Sequence, residues 1–381
     1  MAFCINHRVR AALAGFAAAF GLTVAAPSIA VAGDLEYSKL GEPVQLVIGY
    51  QPYYTQSWSG VVMRGKKFYE KYLPKGSTVD FSIGLQGAVI VNAMLAGKQH
   101  IGYMGDMPAI VSTTKQDVAD IRIIATLGIG HDQCNVLLAS NEAPKFNNGK
   151  EAIKWLEGKR VGIPLGSCAD RFAKEAFKKE GVTPAAIMNQ NIEVITSGFR
   201  AGKLDAAVIW EPTASRLVEE GLAKRVASGA TVDEKDGGFL AMRADLIKQR
   251  PDVAKAWLNA ELDAQLFLGD PKNAMEIAAM AAQQATGFTE KMLWHSLYGQ
   301  YPAAVGGVAV RMQMPFTLTP AVVAQINEST SFLFSIKSIS VEKLRPEALM
   351  TDLAQQVLKE RGLTSPIGQI KSLPHSEYAK K

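Results

Sequence analysis

The sequence predicts an α/β fold of two lobes, each a parallel-type sheet flanked by helices, and three observations carry that prediction. The chain has 381 residues, more than a single hydrophobic core usually organises. Short apolar runs alternate with stretches of helical pattern, the arrangement in which strands are joined through crossover helices. A turn, strand and acid recur in the same order, Gly97 and Asp106 being matched by Gly202 and Glu211.

The elements follow in order. Val44 to Tyr50 is an apolar run broken by Gln51-Pro52, which reads as a buried strand ending in a loop. A helix is expected from about Ser57 to Leu73, stopped by Pro74. Thr78 to Ile83 reads as a strand, Ala88 to Ala96 as a helix and Ile101 to Met104 as a strand. The pattern restarts with a strand at Arg160 to Ile163 and a helix at Ser167 to Glu180. Ser167 is placed to cap that helix, Asp170 to complete a capping box and Gly181 to end it. Beyond Gly238 the stretches Asp252 to Leu268 and Pro320 to Phe334 read as long helices, and Pro346 opens a last one; this region is expected to be packing scaffold.

The N-terminus adds a prediction about location. Basic Arg8 and Arg10 precede an apolar run from Ala11 to Ala26, and Ala30-Val31-Ala32 stands before Gly33. That order is a secretory signal with cleavage after Ala32. The run is shorter than the roughly 20 apolar residues a bilayer span needs. Cys4 lies too early to be a lipid-modified cysteine, so the expected location is the periplasm, free of the membrane. Loss of Arg8 and Arg10 lowers the formal net charge from +5 to +3. No long basic cluster follows, which argues against nucleic acid as a partner. Export leaves Cys134 and Cys168 in a compartment that permits disulfides, and the sequence does not decide whether they pair.

The internal repeat locates a cleft. Ala96-Gly97-Lys98 and Ala201-Gly202-Lys203 each end a predicted helix, an apolar strand follows, and a carboxylate stands nine residues beyond the glycine. At the same offset Gln86 matches Asn191, each just before a helix. Ligands of open sheets sit beyond the carboxyl ends of the strands, so the two sets of loops are expected to face each other.

Three segments carry a family resemblance: Leu95-Ala-Gly-Lys-Gln-His-Ile-Gly-Tyr-Met-Gly-Asp-Met-Pro108, Leu156-Glu-Gly-Lys-Arg-Val-Gly-Ile-Pro-Leu-Gly-Ser167 and Ala201-Gly-Lys-Leu-Asp-Ala-Ala-Val-Ile-Trp-Glu-Pro212. On these the mature chain resembles the nitrate/sulfonate/taurine class of periplasmic binding proteins of ABC transporters. The resemblance implies the two-lobed type II periplasmic-binding-protein fold, with residues 44–130 plus 236–381 in lobe one and 135–235 in lobe two. Capture of a small organic anion or zwitterion and its delivery to ABC permease subunits, by a monomer without cofactor or metal, is the implied function. The segments Tyr53-Tyr-Thr-Gln-Ser-Trp58 and Lys71 to Val79 depart from the family's usual pattern.

Candidate binding residues follow from the chemistry such a solute needs. Helix starts carry partial positive charge and free N–H groups, which places Gln86-Gly87, Ser167-Cys168 and Asn191 at the cleft. Asp106 and Glu211 are the candidates to grip an ammonium group, capping of the following helix being their alternative role. Tyr53, Tyr54, Trp58 and Trp210 supply aromatic lining, with core packing the competing fate of at least one of them, and Gln51 and Met107 are further candidates for ligand contact. His131 and Gln133 border the expected crossing; His131 and Cys134 have no spaced second pair, which argues against a metal site. No Gly-x-Ser-x-Gly, His-Glu-x-x-His or phosphate-binding loop occurs, so an enzyme on the same fold is the lesser alternative, alongside an exported ligand sensor.

Overall fold

The structure, a computed structural model, describes residues 33–380. The predicted leader, residues 1–32, lies outside the described residues. Among the described residues twelve strands form two sheets: β1 (Gln45–Tyr50), β2 (Thr78–Ile83), β3 (Ile101–Gly105), β4 (Ile121–Gly130), β5 (Val136–Ser140), β6 (Arg160–Ile163), β7 (Ala186–Asn189), β8 (Ala206–Ile209), β9 (Ala223–Ser228), β10 (Asp236–Arg243), β11 (Val310–Met314) and β12 (Gly368–Lys371). The larger sheet has the order β12-β11-β4-β10-β3-β1-β2 and the smaller the order β7-β6-β8-β5-β9. The chain thus passes from one sheet to the other at 131–135 and returns at 229–235.

Both sheets are mixed, which corrects the parallel expectation. β1 runs parallel to β2 and β3, and β6 parallel to β7 and β8. β10 is antiparallel to β3 and β4, and β5 antiparallel to β8 and β9. The reason is the crossing itself. β5 and β10 each enter a sheet at the end where its parallel strands finish, so they run the opposite way.

Side chains alternate across each strand, and the core divides accordingly. Tyr103, Leu240 and Met242 pack on one face of the larger sheet with Trp257, Trp294 and the Pro251–Gly269 helix. Met104, Phe239 and Ala241 pack on the other with Ile90, Met94 and Ile326. A third cluster, including Leu137, Val161, Phe172 and Val208, surrounds the smaller sheet. Among the described residues no helix is long and apolar enough to cross a membrane.

Two predicted helices come out shorter. The stretch from Ser57 to Leu73 holds an α-helix only over Ser59–Lys66, because Lys67 turns left-handed (φ 54°) and closes it. Pro346 opens a single 3-10 turn, and the last α-helix is Thr351–Glu360. The Cys168–Glu180 helix is capped by Ser167, which accepts from Asp170 N, and ends on left-handed Gly181 (φ 67°). Asp170 accepts instead from Gly166 N (2.9 Å), so the box is closed one residue earlier than predicted.

Candidate functional site

The repeated motif builds two matching strand ends. Helix Gly87–Leu95 leads through Gly97 to β3, and helix Ile192–Arg200 leads through Gly202 to β8. The terminating bonds correspond: Gly97 N and Lys98 N donate to Met94 O (3.1 Å) and Ala93 O (2.8 Å), Gly202 N and Lys203 N to Phe199 O (3.0 Å) and Gly198 O (2.9 Å). Both glycines have positive φ, 69° and 63°, the conformation this helix ending requires and glycine adopts at least cost.

A cleft lies between these ends, divided by Trp210 and Gln86 into two chambers. The first, about 450 Å³, is bordered by Tyr53, Asn191, Thr213, Arg216 and Thr286. The second, about 310 Å³, is bordered by Val91, Met107, Pro108, Val111, Leu165 and Ser167. A narrow recess of about 60 Å³ between Gln51, Tyr54, Cys168 and Trp210 adjoins the second. Of the expected helix starts, Gln86, Ser167 and Asn191 therefore border cleft space, as do Gly87, Gln51, Tyr53, Tyr54, Met107, Cys168 and Trp210. Gln86 makes no side-chain cap, and Val89 N donates to its carbonyl (3.0 Å).

Five expected residues lie elsewhere. Trp58 is fully buried in the core, its indole N–H donating to Pro52 O (2.9 Å), because the loop after β1 turns back under the larger sheet. His131 pairs with Asp233 at 3.1 Å outside the chambers. Gln133 is buried and accepts from Thr55 Oγ1. Asp106 and Glu211, the two repeat acids, have no exposed surface and border none of these spaces.

Each acid is instead held by arginine. Glu211 Oε1 is 3.3 Å from Arg225 and 3.9 Å from Arg311, and its other oxygen accepts from Ser215 N (2.9 Å). Asp132 Oδ2 takes both arginines as well, at 2.9 and 2.7 Å, and the ring of Tyr301 lies 4.2 Å from the Arg225 guanidinium. Asp106 accepts from Met107 N (2.8 Å) and Ser329 Oγ (3.1 Å), with Arg171 at 3.8 Å. Burial raises the carboxyl pKa of both acids, and the arginines pull it back.

Asp236 completes the group around Asp106. Burial, then the Asp106 charge, push its carboxyl up to about 8. The Tyr54 hydroxyl donates to Asp236 Oδ2, with Gln56 Oε1 also against it.

Cys134 and Cys168 form a disulfide, tying the 131–135 crossing to the start of the Cys168–Glu180 helix. Asp236 lies within 4.8 Å of both sulfurs. With the sulfurs bonded to each other neither is a thiolate, so the trio has no metal-binding chemistry.

Sequence reasoning missed Arg216. It borders the first chamber while only 7% exposed; one nitrogen donates to Thr196 Oγ1 (3.1 Å), its guanidinium lies 4.8 Å from the Phe288 ring, and Nε has no partner. Nothing local marks it, since Phe288 and the Thr286-Gly287 wall come from the far end of the chain.

Comparison with known proteins places this geometry. The taurine-binding periplasmic protein of Escherichia coli K12 is 24% identical over 253 residues, 63% of this chain and 74% of that one. The alkanesulfonate-binding protein SsuA from Xanthomonas axonopodis pv. citri, bound to MOPS, superposes with a TM-score of 0.62 at 18% identity, covering 81% of this chain and 98% of its own. The periplasmic nitrate-binding protein NrtA from Synechocystis PCC 6803 superposes with a TM-score of 0.67 at 14% identity, over 84% and 89%. Residues 39–282 match the NMT1-like family, and the chain belongs to that family.

Proposed function

We propose that the protein is the extracytoplasmic solute-binding subunit of an ABC importer. It captures a small organic anion or zwitterion by closing two lobes, residues 44–130 with 236–381 against 135–235, after export and removal of residues 1–32. The observation that carries this reading is the cleft between the two sheets. Its walls come from both sheets, and the guanidinium-bearing Arg216, only 7% exposed, borders its first chamber. Binding at such a place moves one sheet against the other through only two short connections. The names of the similar proteins, taurine-binding and alkanesulfonate-binding, support the same role.

The test is ligand-dependent stability of the exported protein. A solute at 100 times its Kd raises the unfolding free energy by about 2.7 kcal/mol, a shift a thermal scan resolves. Stabilisation by organic sulfonates or carboxylates is the expected result. A flat response across a panel of both removes the binding role.

A further inference from the structure

Three distant segments of the chain converge on one pair of sulfurs. Cys134 comes from the 131–135 crossing, Cys168 opens the Cys168–Glu180 helix, and Asp236 is the first residue of β10 after the return. Both sulfurs and a carboxyl oxygen of Asp236 lie within 4.8 Å of one another. The two cysteines differ in access. Cys134 has no exposed surface, whereas Cys168 is 7% exposed and borders the recess of about 60 Å³ beside the second chamber. Such a recess takes a thiol sulfur and its first carbons, with the rest of a small molecule held in the chamber.

Solute capture gives Asp236 no task. Its side chain is fully buried; Oδ2 accepts from the Tyr54 hydroxyl (2.9 Å), and Oδ1 has no hydrogen-bond partner. A buried polar atom left unpaired calls for a role. The titratable and charged groups facing this carboxyl are Tyr54 from the loop after β1, Asp106 beyond β3 and Arg171 from the Cys168–Glu180 helix. Burial and the Asp106 charge outweigh Arg171 and keep the carboxyl protonated at neutral pH. An acid that carries its proton thus stands beside a disulfide that small molecules reach from one side.

We propose that Cys134–Cys168 is a thiol-exchange site: the thiolate of a small dithiol enters through the recess and attacks Cys168, and Asp236 protonates Cys134 as it leaves. A bond forms between the incoming sulfur and Cys168 Sγ, the S–S bond breaks, and its electron pair goes to Cys134 Sγ, which takes the Asp236 proton. The second thiol of the dithiol then attacks the sulfur of its own mixed disulfide, releasing Cys168 and giving it a proton. The dithiol is oxidised to a cyclic disulfide, the protein gains two electrons, and Asp236 regains its proton from water. A thiolate at Cys134 is out of reach of water and costly, so an adjacent acid lowers the barrier where it is highest. Reduction releases the first crossing from its covalent tie to the helix that borders the cleft.

The test is the rate at which dithiothreitol reduces the folded, exported protein, read as free thiols by alkylation and mass spectrometry. The rate is expected to rise in proportion to dithiothreitol concentration, with no ceiling at the rate of global unfolding. Divided by the thiolate concentration, it falls about tenfold per pH unit above about 8, where Asp236 gives up its proton. Asp236→Asn lowers it by on the order of a hundredfold near neutral pH, the worth of a positioned acid, and removes the fall above pH 8. Should that variant not fold, the pH profile of the unaltered protein decides alone. Reduction that proceeds only at the unfolding rate overturns the proposal. So does a rate per thiolate that stays level across that pH range, or one that Asp236→Asn leaves unchanged.

Discussion

Asp106 and Glu211 occupy matching places in the repeat, yet their surroundings balance charge differently. Around Glu211 two acids, Glu211 and Asp132, face two arginines, Arg225 and Arg311. Around Asp106 two acids, Asp106 and Asp236, face only Arg171, which Glu234 also claims at 3.1 Å. The first group is balanced, and the second is made good by a proton on Asp236. In both, one arginine crosses between the sheets: Arg311 on β11 of the larger sheet reaches Glu211 beyond β8, and Arg171 from the smaller sheet's helix reaches Asp106 beyond β3. The repeat thus supplies a pair of inter-sheet ties.

The largest effect that sharpens this comparison comes from removing the cross-sheet arginines. Arg311→Ala leaves the fully buried Asp132 with one counter-ion fewer, and is expected to cost about 3–5 kcal/mol of unfolding free energy in urea titrations. Arg171→Ala is expected to cost about 1–3 kcal/mol, because one acid of its group is neutralised by a proton already. Equal losses would erase the distinction.

The next effect is on pH dependence. The Asp236 carboxyl binds its proton more tightly folded than unfolded, so its contribution to stability is full below the usual carboxylate value of 3.8 and is lost as pH rises through about 8. Thermal midpoints should fall with rising pH across that window. Asp236→Asn, which keeps a neutral side chain, should flatten the slope, and an unchanged slope would assign the dependence to another group. Glu261, pushed up to about 7 by burial, acts in the same direction, so the slope that Asp236→Asn removes is a part of the whole.

The smallest effect concerns selectivity. Glu211→Gln lowers stability but should leave the ratio of taurine to ethanesulfonate affinity within about twofold, under half a kcal/mol. A selective loss of taurine would restore the ammonium role.

Much of this molecule was legible in the sequence where the signal is local. β1, β2, β3 and β6 lie within a residue of their predicted bounds, and the repeat marked both strand ends correctly because helix termination by Ala-Gly-Lys is a short-range property. The helix starts Gln86, Ser167 and Asn191 reached the cleft for the same reason. What failed was long-range. The antiparallel insertion of β10 depends on which sheet the chain returns to, not on its own residues. An acid's partner, whether ligand or arginine, is set by residues 132, 225 and 311, scattered along the chain. Trp58 and Tyr53 share one loop, but only the packed structure separates the core residue from the cleft residue.

The central claim is that the solute binds in the cleft beside Arg216, and at neither repeat acid. The dissociation constant of hexanesulfonate for Arg216→Gln, measured by calorimetry beside the unaltered protein, tests it most directly. A loss of at least tenfold, the worth of a charge-assisted hydrogen bond, with the thermal midpoint of the ligand-free protein retained is the predicted result. An unchanged dissociation constant would contradict the account.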